Sequence, residues 1–133
     1  MENEDIQVSP FACNMSAIPP EERGQHIAAI EAVFGAVEEV REIPDGYSFR
    51  LANEAALLLK IADFLVKERL CCPFFAFALT IEPEGGAVWL SLTGREGVKP
   101  FIQAEIGHAL GESAAFPVSP SAAHPQGQQT LRT

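Results

Sequence analysis

The chain has 133 residues, 47% of them hydrophobic, and a net charge of −9. That length suits one folded domain with a modest core and leaves little room for a second. The nine Lys and Arg are scattered without a basic run, which speaks against direct nucleic-acid binding, since phosphate recognition needs clustered positive charge. Charges interrupt every apolar stretch well before the ~18–20 residues a membrane span requires. The opening Met1-Glu2-Asn3-Glu4-Asp5 is acidic and no apolar segment follows it, so no secretory signal is expected. The expected compartment is the cytoplasm, where thiols stay reduced.

Residues 1–10 are polar and read as a flexible N-terminus, 11–110 as a single domain, and 111–133 as a disordered tail rich in Ala, Ser, Pro and Gln. A first helix is predicted from Pro20 to Phe34, with proline at the tolerant first turn and Glu21-Glu22 near the positive dipole end. Ile27, Ile30, Phe34 and Val37 mark its expected buried stripe. A hairpin follows, Val40–Ile43 and Tyr47–Leu51, around the turn signal Asp45-Gly46. A second helix is predicted from Glu54 to Cys71 or Cys72, with Asn53 as N-cap and Pro73 preventing continuation. Its stripe holds Leu57 or Leu58, Ile61, Leu65 and Cys72, and Glu68 falls on it.

A second hairpin places Phe75, Phe77, Leu79 and Ile81 on one face, turns at Glu82–Gly86, and returns with Val88, Leu90 and Leu92 inward. Thr93-Gly94-Arg95-Glu96 has the form of a capping box. Pro100 argues for a last helix that starts late, near Gly97, or is kinked; it reaches to about Leu110. The order α-β-β-α-β-β-α predicts an α+β fold, a two-layer sandwich with a four-stranded antiparallel sheet and the helices on one face.

The chemistry sits in the string Glu68-Arg69-Leu70-Cys71-Cys72-Pro73. A disulfide between neighbours is disfavoured, because adjacent Cα atoms lie about 3.8 Å apart and ordinary bridges span about 4.4–6.8 Å. An odd total of three cysteines points to reduced, ligand-type sulfur. A thiol at a helix C-terminus meets the negative end of the dipole, which makes it a poor free nucleophile. A bound cation reverses that, since coordination deprotonates thiols. The candidate metal ligands are Cys71, Cys72, Cys13 and Glu68. Three thiolates suit Hg(II) or As(III), and a fourth N or O ligand would suit Zn(II), with His26 the best-placed histidine. No organic cofactor is expected. The plainer alternative is that the cysteines are small core residues, with Glu68 paired to a partner such as Arg23. Trp89 then reads as a core or rim aromatic, or as part of a contact surface.

The run Glu68, Cys71-Cys72-Pro73-Phe74, Glu82-Pro83-x-Gly85-Gly86, Trp89-Leu90 and Thr93-Gly94-x-Glu96-Gly97-Val98-Lys99 resembles a family of small, largely uncharacterised bacterial proteins with an ExxCCPF motif. These in turn resemble domains found near, or attached to, heavy-metal-responsive regulators of the mercury-resistance type. Cys13, Arg23 and Asp45-Gly46-Tyr47-x-Phe49 are similar to earlier positions of the family, so the resemblance covers residues 11–107. Pro100 departs from the acidic residue expected there. The resemblance implies association with a metal response and makes the three cysteines soft-metal ligands. Three functional readings follow: a thiophilic metal-binding or buffering protein, with a homodimer or a regulator as possible partner; a non-catalytic interaction or dimerisation module; and a thiol-dependent enzyme for organometal cleavage or redox chemistry.

Overall fold

The computed structural model describes residues 10–112 and 114–118. Its elements are α1 (Pro20–Gly35), β1 (Glu39–Ile43), β2 (Gly46–Leu51), α2 (Ala55–Cys71), β3 (Ala76–Ile81), β4 (Val88–Thr93) and α3 (Val98–Ile106). The predicted order α-β-β-α-β-β-α and the four-stranded antiparallel sheet are both present. The strands lie in the order β1-β2-β4-β3, so both hairpins are local and the second strand of each pairs at the centre. No helix among the described residues is long and apolar enough to cross a membrane.

The Pro44-Asp45 turn is tight because Gly46 follows it. A Cβ at Gly46 would collide with the Leu92 carbonyl of β4, so glycine allows the two central strands to meet there. Tyr47, Phe49 and Leu51 alternate inward as expected and meet Val88, Leu90 and Leu92. On the opposite face Trp89 lies beneath the Arg41 guanidinium, 4.3 Å from the ring centroid. The inward alternation fades from Phe75, just before β3, at 8% exposure to Ile81 at the end of β3 at 52%. Among the described residues this edge strand has a neighbour on one side only.

Several local expectations shift. The buried stripe of α1 is His26, Ala29, Val33 and Phe34, while Ile27 is exposed. Both sets have helical spacing; the larger aliphatic side chain was not the buried one. In α2 the buried positions are Ile61, Phe64, Glu68 and Cys71, again one helical face. Its N-cap is Glu54 without a side-chain bond, and Asn53 instead donates to the Gly86 carbonyl across the hairpin. The capping box does not form either: Thr93 closes β4, and the N-cap of α3 is Gly97 with φ of 97°. This late start resolves Pro100. It is the third residue of the helix, within the first turn, where backbone N–H groups have no intrahelical partner to lose. Of the segment expected as a tail, 111–133, residues 111–112 and 114–118 are described, and Phe116 packs edge-on against Tyr47. The remainder of that segment and the expected flexible residues 1–9 lie outside the described residues.

The core joins the helix layer to the sheet through Phe34, which meets Phe49 and Phe64 at centroid distances of 5.2 and 5.3 Å. Phe34→Ala is expected to cost about 3–5 kcal/mol through lost burial and a residual cavity. Leu59→Ala, at a position 72% exposed, is expected to stay within about 0.5 kcal/mol of wild type. Urea denaturation of the two variants checks the contrast.

Candidate thiol and carboxylate site

The last turn of α2 builds the site. Positions 68, 71 and 72 follow one another at three and one residues, so Glu68 and Cys71 share the buried face. Cys72, the C-cap, turns away with φ −128° and ψ 70°, and Pro73 stops the helix. Glu68 is 3%, Cys71 1% and Cys72 0% exposed.

A buried carboxylate needs partners, and Glu68 has two. His26 of α1 lies with Nε2 2.9 Å from Glu68 Oε1, and the Cys71 thiol donates to the same oxygen at 3.5 Å. Cys71 Sγ is also 3.9 Å from His26 Nε2. The imidazole stacks on Phe64 at 6.0 Å, which orients the ring. With Nε2–H directed at the carboxylate, Nδ1 is left buried without a hydrogen-bond partner among the described residues. Arg23, considered as a partner for Glu68, instead donates to the Ile18 carbonyl.

Cys13 does reach the other two sulfurs. Its segment is docked by the Asn14 N–H, which donates to the Cys71 carbonyl at 2.8 Å. Phe11 adds an edge-on contact with Phe74, a stacked contact with Phe101 and a cation–π contact with Arg95. The Sγ atoms of Cys13, Cys71 and Cys72 and a carboxylate oxygen of Glu68 all lie within 4.8 Å of one another.

The expectation of fully reduced sulfur is corrected. Cys13 and Cys72 form a disulfide across 59 residues of sequence, with Cα atoms 4.9 Å apart, and Cys71 is the free thiol. The exclusion of a bond between neighbours holds, although Cys71 and Cys72 Sγ are 3.7 Å apart. An odd count permits one bridge and one thiol, and chain spacing alone carried no sign that the segment around Cys13 docks on the end of α2.

The Cys71 thiol is pushed up to about 12, first by burial, then by the adjacent Glu68 carboxylate and the hydrogen bond to it. In this environment it is no thiolate nucleophile at neutral pH. The role expected of His26 from sequence is zinc ligation, and in the structure it is the partner of Glu68. Its contact with Glu68 spans 42 residues, and the available signal was a histidine at helical spacing with Ala29 and Val33.

The raised Cys71 value has a stability consequence. Near pH 9 the thiol ionises in the unfolded chain but not in the folded one, so the unfolded state binds fewer protons. The contribution is therefore fully present below about pH 9 and is lost as pH rises toward the folded value of about 12. The urea midpoint is expected to fall more steeply between pH 8 and 10.5 in wild type than in Cys71→Ala. Equal slopes would refute the assignment.

No protein-family model, curated protein or solved structure matches the chain.

Proposed function

We propose that the reduced protein binds a thiophilic metal ion through Cys13, Cys71 and Cys72, with Glu68 as a fourth, oxygen donor. The observation that carries this reading is the convergence of three sulfurs and one carboxylate oxygen within 4.8 Å. With metal–sulfur bonds of about 2.3 Å, sulfurs sharing a trigonal or tetrahedral ion lie about 3.8–4.0 Å apart. Cys71 and Cys72 are already 3.7 Å apart. Three thiolates alone suit Hg(II) or As(III), and Glu68 completes a set acceptable to Zn(II). His26 contacts the same carboxylate oxygen that accepts from Cys71, the kind of outer hydrogen bond that orients an anionic ligand.

Metal uptake requires loss of thiol protons. The burial that suppresses Cys71 ionisation therefore favours ions whose bond to sulfur is strong enough to displace its proton. This makes a soft ion the natural cargo. The resemblance to domains near mercury-type regulators supports an accessory role in a heavy-metal response.

One observation favours a second reading, a dimerisation module. The edge strand β1 carries Glu39, Arg41 and Glu42, charges that discourage strand addition. The other edge, β3, reads Ala-Phe-Ala-Leu-Thr-Ile without a charge, and Leu79 and Ile81 are exposed on it.

Fully reduced wild-type protein is expected to bind one Hg(II) or one arsenite per chain in calorimetric titration. Cys71→Ser/Cys72→Ser should bind at least about 100-fold more weakly, having lost two of the three sulfur donors. Binding by the double variant as tight as wild type sinks the metal reading. Unchanged apparent mass of the metal-free protein from micromolar to near-millimolar concentration removes the dimer reading.

A further inference from the structure

The three sulfurs differ sharply in access. Cys72 has no accessible surface and Cys71 is 1% exposed, whereas Cys13 is exposed. The bridge therefore joins an exposed residue to a fully buried one. The side of the bridge nearer solvent is that of Cys13, so a thiolate arriving there would leave the buried Cys72 sulfur as the leaving group.

The segment carrying Cys13 does not depend on the bridge alone. The hydrogen bond from Asn14 N–H to the Cys71 carbonyl and the packing of Phe11 on Phe74 and Phe101 hold it from both sides of Cys13. Opening the bridge removes a covalent bond while these contacts keep the sulfurs close together. The two oxidation states then differ chiefly in donor count. With the bridge closed, Cys71 is the free thiol; with it open, three thiols face Glu68.

We propose that the Cys13–Cys72 disulfide is a reversible two-electron switch on the metal site, opened at Cys13 by a low-molecular-weight thiol and held open by the bound ion. This rests on the metal-binding reading above. In the first step the thiolate RS⁻ attacks Cys13 Sγ. The sulfur–sulfur bond breaks, and its electron pair leaves on Cys72, which takes up a proton. In the second step another RS⁻ attacks the R-bearing sulfur of the mixed disulfide, forming RSSR and releasing Cys13 as thiolate. The protein gains two electrons, and two RSH are oxidised to RSSR. Run backwards, RSSR closes the bridge again when no ion occupies the thiolates.

The linkage is reciprocal: an ion that binds only the open form must favour opening. At an ion concentration 100 times its Kd for the reduced protein, the open-to-closed ratio rises about 100-fold at a fixed RSH/RSSR ratio.

The test begins with arsenite titration of the fully reduced and the fully bridged protein in one buffer containing glutathione. Wild-type protein is then equilibrated across a series of reduced-to-oxidised glutathione ratios, with and without arsenite at 100 times the measured Kd. Samples are acid-quenched, alkylated and read by peptide mass. Arsenite should shift the open-to-closed ratio about 100-fold, and trapped glutathione adducts should map to Cys13 in large excess over Cys72. In separate chains, Cys72→Ser should form its Cys13 adduct at least 10-fold faster than Cys13→Ser forms one at Cys72. Arsenite binding by the reduced protein without any shift in the bridge equilibrium overturns the switch while leaving the metal reading intact. Equal arsenite affinity of the bridged protein does the same. Predominant attack at Cys72, or a bridge that no glutathione ratio opens, also overturns it. Absence of arsenite binding by the reduced protein defeats the metal reading first, and the switch on that site with it.

Discussion

The burial of Glu68 is the constraint around which this molecule is organised. A carboxylate at 3% exposure carries a desolvation cost of several kcal/mol unless it is hydrogen-bonded. Two partners offset it, His26 from α1 and the Cys71 thiol one helical turn along α2. That arrangement dictates how α1 lies on α2, because the imidazole must arrive within 2.9 Å of the acid. Phe64 supports the ring and Phe34 carries the contact to Phe49 in the sheet. The polar contact and the aromatic layer thus fix the same packing of the two helices.

The acid also sets the chemistry of its neighbour. A negative charge beside a buried thiol disfavours a second negative charge, so Cys71 stays protonated far above neutrality. The group is quiet as a nucleophile. A cation changes the balance, because it compensates the carboxylate and the thiolate together. One arrangement therefore keeps Cys71 a weak nucleophile and sets it among donor atoms that could hold a metal ion.

The helix stop gives the sulfurs their separate roles. Consecutive residues at the end of α2 diverge: Cys71 remains on the buried face with Glu68, and Cys72 leaves the helix to meet Cys13. Cys13 is exposed while its bridge partner is buried, and the segment around Cys13 is also docked noncovalently through Asn14 and Phe11.

Much of this was legible in the chain itself. Alternating strands, the Asp45-Gly46 turn and Pro73 after a helical pattern are local signals, because hydrogen bonding within a hairpin or a helix is decided over a few residues. The order α-β-β-α-β-β-α followed from them, and so did the place of Glu68 on the buried stripe of α2, although that stripe was expected to run to Cys72 and the buried helix face carries Cys71 instead. Of the stripe expected on α1, Phe34 and Val37 are buried and Ile30 packs on the core, but Ile27 is exposed; Ile27 and His26 sit one residue apart, and only the partner, Glu68, decides which is buried. The capping box failed for a similar reason: Thr93 was needed to complete β4 opposite Gly46 and Ala76. By itself, then, the sequence determined the elements, the hairpins and the neighbourhood of Glu68 and Cys71. The tertiary structure decided that His26, 42 residues away, answers Glu68, and that Cys13, 59 residues away, bonds to Cys72. Long-range contacts of this kind depend on how whole layers dock, and neither periodicity nor spacing along the chain carries that information.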